Sequence, residues 1–261
     1  MPTILDEIVE SKKLEIANDQ KTISLFDLKE QVHSCAPCAN FLDALNSTDD
    51  VALIAEVKKA SPSKGLIREQ FNPISIAKEY EQSGATCISV LTDKKYFQGQ
   101  LSYLEQISVE TSLPLLRKDF VVDPYQIYQA RVAGASAVLL IAECLQPAQL
   151  NELHDLILLL GMTPLVEFHD ANHLDMCLDC GAQLIGVNNR DLNTFKTNLE
   201  HVVQLRPQIP ADRTVVAESG IFKREDVLKM ADAKVQAMLV GESLMRQPNI
   251  PQAVRQLLGR T

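Results

Sequence analysis

The chain has 261 residues, of which 46% are hydrophobic and 23% are charged, a composition that excludes intrinsic disorder. Its 25 Lys and Arg face 34 Asp and Glu, so the formal net charge of −9 argues against a general nucleic-acid binder. The N-terminus lacks a basic segment followed by an apolar one, and no apolar stretch approaches the roughly 20 residues of a membrane span. These features predict a cytoplasmic protein that binds neither nucleic acid nor a membrane.

The first fifty residues contain three predicted helices that do not belong to the pattern that follows. Apolar residues from Ile4 onward recur at helical spacing, Ser24 with Asp27 three positions later predicts a capped second helix, and residues 41–45 form a short third piece. We expect residues 1–50 to be a helical extension packed on the rest of a single domain.

From residue 51 onward one pattern repeats, in which a short apolar run is followed by a polar turn and an amphipathic helix. The runs are too continuous for half-exposed strands and fit strands that are buried on both faces. Helices are predicted at 74–83, 124–133, 147–160 and 224–230, and three of them begin near Pro73, Pro124 or Pro147. The predicted strands are 51–57, 86–91, 113–116, 137–141, 163–166, 183–187, 214–217 and 237–240.

Eight strand–helix units predict an α/β fold, a (βα)8 TIM barrel with an extra N-terminal helical segment. A doubly wound open sheet shows the same alternation and is the alternative. The count of eight, and the lack of a Gly-x-Gly-x-x-Gly motif after the first strand, favour the barrel.

Polar or charged residues follow most of the predicted strands. The carboxyl ends of barrel strands form one rim, where barrel enzymes have their active sites. A charge inside an apolar strand is costly unless it is paired, so these side chains are expected to meet there and converge on one ligand. They are Glu56 and Lys58 at the end of the first strand, Lys118 at the end of the third, Glu167 at the end of the fifth, and Asn188 and Arg190 at the end of the sixth.

Each of these residues taken alone could be a solvated loop residue, and others near the rim have structural interpretations. Strand alternation points Arg117 and Asp119 away from the direction of Lys118, which favours structural roles for both. Glu143 could contact the rim or form a salt bridge, and His169 and His173 are placed in the following helix as surface or capping residues.

Two glycines, Gly220 and Gly241, follow the last two strands, where barrels often bind phosphate through backbone N–H groups. Glycine allows an anion to approach the backbone closely, and Ser219 lies beside the first of the two. This pair predicts a phosphorylated small-molecule substrate.

The longer stretches around these residues resemble the indole-3-glycerol phosphate synthase family, and the resemblance extends to the N-terminal helices. Glu242 stands where some relatives carry Ser or Thr, so a backbone N–H is expected to contact phosphate there. The matching stretches are 54–65, 91–99, 116–124, 165–167, 185–192, 217–221 and 239–245.

This resemblance implies a cofactor-free and metal-free enzyme, expected to be a monomer. It would convert 1-(2-carboxyphenylamino)-1-deoxyribulose 5-phosphate into indole-3-glycerol phosphate, CO₂ and water. Lys118 would be the general acid of ring closure and Glu167 an acid or base of the dehydration. Lys58 would hold the substrate carboxylate and can exchange roles with Lys118, while Glu56 would orient both lysines and contact a hydroxyl.

The resemblance also implies positions for the two ends of the substrate. Asn188 and Ser219 would position the intermediate, and Arg190 would help to hold the carboxylate. The slot for the aromatic ring would consist of Phe97, Phe120 and Leu139, and the phosphate would be surrounded by Ser61, Gly220, Gly241 and Glu242.

Two other functions fit parts of the pattern. A Schiff-base aldolase acting on a sugar phosphate would use Lys118 or Lys58 as nucleophile. A non-catalytic barrel could serve as a scaffold, although the intact set of Lys118, Glu167 and Asn188 favours an enzyme.

The six cysteines include two C-x-x-C pairs, Cys35 with Cys38 and Cys177 with Cys180. Such pairs can form a zinc site or a redox switch, but these two are far apart in the sequence and no zinc knuckle surrounds either. Reduced, mostly structural thiols are the favoured interpretation.

Overall fold

A computed structural model describes residues 3–191 and 194–260, so Leu192 of the matching stretch 185–192 lies outside the described residues. Within them, eight parallel strands close into a barrel in which the first strand pairs with both the second and the last. The predicted (βα)8 barrel is therefore confirmed. The strands are β1 Ala52–Val57, β2 Cys87–Leu91, β3 Leu115–Lys118, β4 Ala137–Ile141, β5 Thr163–Phe168, β6 Leu184–Asn188, β7 Thr214–Glu218 and β8 Ala237–Val240.

Helices surround the barrel and cover its ends. None of those in the described residues combines the length and apolar character that a membrane span requires. A short hairpin, Ala60–Ser61 with Gly65–Leu66, follows β1. The helices are α1 Ile4–Asp19, α2 Leu25–Val32, α3 Phe41–Asn46, α4 Pro73–Ser83, α5 Lys94–Phe97, α6 Leu101–Ser108, α7 Pro124–Val132, α8 Pro147–Leu159, α9 Leu174–Asp179, α10 Glu200–Leu205, α11 Arg224–Asp232, α12 Glu242–Met245 and α13 Ile250–Leu258.

The three N-terminal helices begin at well-defined caps and contact the barrel. Thr3 with Asp6, and Ser24 with Asp27, form capping boxes at the starts of α1 and α2. Phe41 of α3 is fully buried, and this helix packs against the first two strands.

The core has two layers because successive strand residues point to opposite faces. Outward-facing residues pack beneath the helices, whereas inward-facing residues such as Ile54, Leu116, Leu165 and Val216 fill the barrel. The charged inward side chains and Asn188 lie at the carboxyl ends of the strands, which places the functional groups above a largely apolar layer.

Several strands continue further than the apolar runs predicted. The third strand, predicted at 113–116, lies at Leu115–Lys118, and the fifth, predicted to end at residue 166, continues to Phe168. The apolar pattern stops where polar inward residues begin, although the hydrogen-bonded ladder continues through them. Lys118 and Glu167 are therefore strand residues, not loop residues.

Candidate active site

One cavity opens at the carboxyl end of the barrel, and all of the residues predicted for the site line it. Their chemical roles remain predictions. The lining includes Glu56, Lys58, Ser61, Phe97, Lys118, Phe120, Leu139, Glu167, Asn188, Arg190, Ser219, Gly220, Gly241 and Glu242.

At the bottom of the cavity lies an inner cluster of four inward-facing strand ends: Lys118, Glu167, Asn188 and Glu218. The Lys118 ammonium is 2.5 Å from Glu167 Oε2 and 3.1 Å from Glu218 Oε2. Asn188 Nδ2 donates to the second oxygen of Glu167 over 2.8 Å. Both glutamates are only 2% exposed, so these interactions are little screened by water.

The inner cluster contains one cation and two carboxyl groups, and the pKa values of the two carboxyl groups shift in opposite directions. Burial opposes ionisation of Glu167, but adjacent Lys118 outweighs it and lowers the pKa of that carboxyl. Burial, followed by the nearby Glu167 charge, raises the pKa of Glu218 well above its usual value. Burial also disfavours the Lys118 cation, yet both glutamates more than compensate and raise its pKa. The arrangement thus favours the charged form of Lys118 and, of the two carboxyl groups, the protonated form of Glu218.

The side chains of Glu167 and Glu218 can approach each other because β6, the strand between β5 and β7, carries a glycine. Gly186 on β6 is the ladder partner of Glu167, and an added Cβ there would be 2.5 Å from Glu218 Oε1. The sequence interpretation omitted Glu218, although it is the polar residue that ends its strand, as Glu167 does. The same positional signal could have identified it.

A second ion pair lies on the opposite wall. Glu56 faces inward from β1, and Lys58 Nζ is 2.5 Å from its Oε2. An added Cβ at Gly241 would overlap the Glu56 carboxylate, so the absence of a side chain at this position leaves room for Glu56. Tyr80 supports the same strand, because its hydroxyl donates to the Glu56 backbone carbonyl over 3.1 Å.

Arg190 connects the hairpin after β1 with the far rim. Its Nη1 donates to Ser63 Oγ over 3.1 Å, and its Nη2 lies 3.5 Å from Glu242 Oε2. The other oxygen of Glu242 accepts from Arg246 Nε over 3.1 Å. The Glu242 carboxylate is thereby held by two arginines at the rim.

The loop after β7 has an unusual backbone. Ser219 and Gly220 have φ values of 65° and 82°, so two successive residues adopt the left-handed region that favours glycine. An added Cβ at Gly220 would also lie 2.7 Å from Thr197 Cγ2. Strain at a non-glycine residue such as Ser219 is typical of functional sites.

The remaining side of the cavity is apolar. The Phe97 and Phe120 rings have centroids 6.2 Å apart at an interplanar angle of 39°, and Leu139 lies in the same cavity. The structure adds residues that the sequence interpretation treated only as packing positions of the first helix. They are Ile4, Leu5 and Ile8 of α1.

Residues assigned structural parts from sequence occupy varied positions. Arg117 Nη2 contacts Asp119 Oδ2 at 3.1 Å, on the outer side of β3. Glu143 Oε1 accepts from the backbone N–H groups of His169 and Asp170 and so organises the loop after β5.

The placement of His169 in the following helix was wrong. β5 continues to Phe168, so His169 lies in the loop directly behind it, and His173 ends a short 3₁₀ turn before α9. The His169 Nδ1–H donates to the Asn188 backbone carbonyl over 2.7 Å. His169 therefore supports the strand end that carries Asn188.

The six cysteines all lie in the described part of the chain, and none forms a disulfide. Burial raises the pKa of Cys144 to about 12, and it also raises the pKa values of Cys87 and Cys177. The thiolate is the reactive form of cysteine, so a raised pKa makes these three thiols unreactive.

Comparisons of the sequence with a family model and with curated proteins point to the same family. A family model described as indole-3-glycerol phosphate synthase matches residues 5–257. A protein of that name from Rhodopirellula baltica is 52% identical over 256 residues, covering 98% of this chain and 99% of the relative. Another from Aromatoleum aromaticum is 45% identical over 262 residues, covering 99% of this chain and all of the relative.

Among solved structures, a 3-hexulose-6-phosphate synthase superposes with a TM-score of 0.66 at 12% identity. The superposition covers 80% of this chain and 99% of the other. A likeness at this identity supports the barrel fold alone.

Proposed function

The chain belongs to the indole-3-glycerol phosphate synthase family, and on this premise we propose which side chains carry each step of the reaction. It is a carboxy-lyase of tryptophan biosynthesis that acts on a phosphorylated small molecule. It converts 1-(2-carboxyphenylamino)-1-deoxyribulose 5-phosphate into indole-3-glycerol phosphate, CO₂ and water. The conversion comprises ring closure, decarboxylation and dehydration.

Ring closure requires an acid at the ketone oxygen, and the position of Lys118 between two buried carboxyl groups is the observation that carries this assignment. As the aromatic carbon attacks the carbonyl carbon, the oxygen becomes basic and takes a proton from the Lys118 ammonium. Glu218 lies 3.1 Å from Lys118, and its raised pKa favours the protonated form, so it can then restore the ammonium.

Decarboxylation takes place from the intermediate that ring closure forms. The attacking ring carbon carries the carboxylate, so ring closure interrupts aromaticity, and loss of CO₂ restores it. Lys58 and Arg190 are the cations on the cavity wall that can hold this carboxylate until it leaves. Glu56 holds Lys58 in place and can accept a hydrogen bond from a substrate hydroxyl.

Dehydration requires a base for the departing proton and an acid for the departing hydroxyl. Glu167 is the base, because its lowered pKa keeps it ionised, and Asn188 orients its second oxygen. Lys118 or Lys58 protonates the hydroxyl as it leaves. Ser219, at the adjacent strand end, positions the intermediate.

The substrate has one aromatic end and one anionic end, and the cavity has matching sides. The aromatic ring enters the apolar slot, where it is buried against aromatic and aliphatic side chains. The phosphate binds where the loops after β7 and β8 expose backbone N–H groups. The slot consists of Phe97, Phe120 and Leu139, and the phosphate site of Ser61, Gly220, Gly241 and Glu242.

All three steps use only proton transfer and electrostatic stabilisation, which these side chains supply. We therefore propose a cofactor-free enzyme. All of the residues assigned to the site come from one chain, and we propose that it acts as a monomer in the cytoplasm. The Schiff-base alternative requires a neutral lysine as nucleophile, and the carboxyl groups beside Lys118 favour its charged form instead.

The test uses the fluorescence of the product. Because the protein contains no Trp, an indole formed from the carboxyphenylamino substrate is detected over a low background. We expect indole emission to rise with wild-type protein and not with Lys118→Ala. Folded wild-type protein that gives no indole would contradict the proposal, and a borohydride-trapped substrate adduct on Lys118 would support the aldolase instead.

A further inference from the structure

Lys12 of α1 is a charged residue that is almost completely buried, with 2% of its surface exposed. Its Nζ lies 2.9 Å from each of three carboxylate oxygens, those of Asp93, Asp119 and Glu15. Burial disfavours the ammonium, but the three carboxylates outweigh it and raise the pKa of Lys12. A buried charge with this many partners is a fixed connection between the N-terminal helix and the barrel.

The two aspartates each organise a backbone segment that carries an aromatic residue of the slot. Asp93 follows β2 and caps α5, and its Oδ1 accepts from the backbone N–H groups of Tyr96 (2.7 Å) and Phe97 (3.2 Å). Asp119 follows β3, and its Oδ1 accepts from the backbone N–H of Phe120 over 2.9 Å. Lys12 thus joins the supports of both phenylalanines.

The same helix also covers the slot directly. Ile8 lies one helical turn before Lys12, so both side chains are on the same face of α1. Ile8 lines the cavity, whereas Lys12 lies beneath the loops that hold the two phenylalanine rings. Tyr96, next to Phe97, donates its hydroxyl to the Glu7 carbonyl of α1 over 3.5 Å, a further contact between helix and loop.

We propose that Lys12 is a positioning residue for the reaction, one that locks α1 and the loops after β2 and β3 into a single unit and so fixes the slot between Phe97 and Phe120. The inference rests on the proposed placement of the substrate's aromatic ring in this slot. Lys12 acts through Asp93 and Asp119, with its own ammonium shielded from the cavity. We call Lys12, Asp93, Arg117 and Asp119 the outer cluster.

The slot binds the ring in the ground state and in the transition state, so its loss acts on KM more than on kcat. Lys12→Met removes the charge and keeps most of the length of the side chain. We expect KM to rise about tenfold while kcat falls by less than about threefold, since displacement of a binding surface weakens both states alike. Indole fluorescence measures both constants.

Two control variants separate positioning from loss of stability. Arg131→Met removes another buried cation, which donates to the backbone carbonyls of Ala36 and Leu160 and does not line the cavity. It should lower Tm comparably and leave KM unchanged. Lys13→Met removes an exposed neighbour on α1 and should change neither quantity.

A wild-type KM in folded Lys12→Met, or an equal rise of KM in Arg131→Met, would overturn the inference. Should Lys12→Met not fold, Asp93→Asn keeps a capping oxygen for α5 while weakening the ion pair, and the same rise of KM is expected from it. Wild-type protein without indole formation would contradict the proposed function. Active wild type with an unaffected variant would contradict this inference alone.

Discussion

The inner and outer clusters are both buried and both include residues at the end of β3, yet their charges balance differently. In the outer cluster two cations face two buried aspartates, so each of these carboxylates has an opposite charge beside it. Glu15, the third carboxylate beside Lys12, is partly exposed and has Lys94 Nζ 3.9 Å away as a second cation. In the inner cluster a single lysine faces two glutamates, and the raised pKa of Glu218 favours the protonated form of the second carboxyl group. A balanced cluster fixes positions, whereas an unbalanced one favours a protonated carboxyl group that can donate its proton.

One strand end supplies both clusters because its residues alternate between faces. Lys118 points into the barrel, while Arg117 and Asp119 on either side of it point outward to Thr92 and Lys12. Substitutions one position apart should therefore have different consequences. Changes to the inner cluster should act on the chemical steps, and changes to the outer cluster on stability and on substrate affinity.

The largest effect is expected from Lys118→Ala. The lysine acts mainly when charge develops on the ketone oxygen, so kcat and kcat/KM should fall together by roughly 10²–10⁴. Steady-state kinetics by indole fluorescence measures this, with Lys13→Ala as an exposed control that should retain wild-type activity. If Lys118→Ala kept its kcat and only KM rose, Lys118 would be a binding residue and Lys58 would have the acid role.

The sequence predicted the barrel because eight apolar runs with helical partners leave few alternatives, and the residues at the strand ends followed from the rule that places barrel sites there. The sequence predicted the ends of the strands less well. Apolar periodicity ends where polar inward residues begin, which hid the strand character of Lys118 and Glu167 and misplaced His169 in a helix.

Other parts of the site depend on contacts between residues distant in sequence. The pattern of α1 shows that Ile8 and Lys12 share a face, but not that this face meets the slot and its supporting loops. The raised pKa of Glu218 arises from its burial and from its proximity to Glu167, and this proximity depends on the space at Gly186. Neither relation is encoded in local spacing.

The outer cluster should make a clear contribution to acid stability through Asp119. Burial opposes its ionisation, but Lys12 and Arg117 outweigh this and lower its pKa to about 2, from an ordinary value of 3.8. Between these pH values the unfolded chain binds a proton that the folded chain does not, so stability is lost as pH falls. Asp119→Asn should make the free energy of unfolding less pH-dependent there, by up to about 1.4 kcal/mol per pH unit.

Urea unfolding of both proteins between about pH 4 and pH 2 measures the slope, with the exposed Asp49→Asn as control. An unchanged slope in Asp119→Asn would mean that the outer cluster does not hold this carboxylate in its ionised form.

The smallest effect on stability is expected from Glu218→Gln, and thermal unfolding measures it separately from any loss of rate through the proton supply to Lys118. The pKa of Glu218 is raised in the folded protein, so the unfolded chain loses this proton first, and the group costs stability as pH rises above its ordinary value of 4.5. Gln resembles the protonated form and cannot ionise, which leaves Lys118 with one carboxylate and a balanced charge. The Tm of Glu218→Gln should therefore rise relative to that of wild type as the pH increases from about 5 to about 8. Thermal unfolding at several pH values in this range measures the difference. Glu167→Gln provides the contrast, because it removes the ionised partner of Lys118 and should lower Tm across the same range. A Glu218→Gln difference that stayed constant with pH would show that both glutamates ionise together, and the distinction between a balanced and an unbalanced cluster would then be lost.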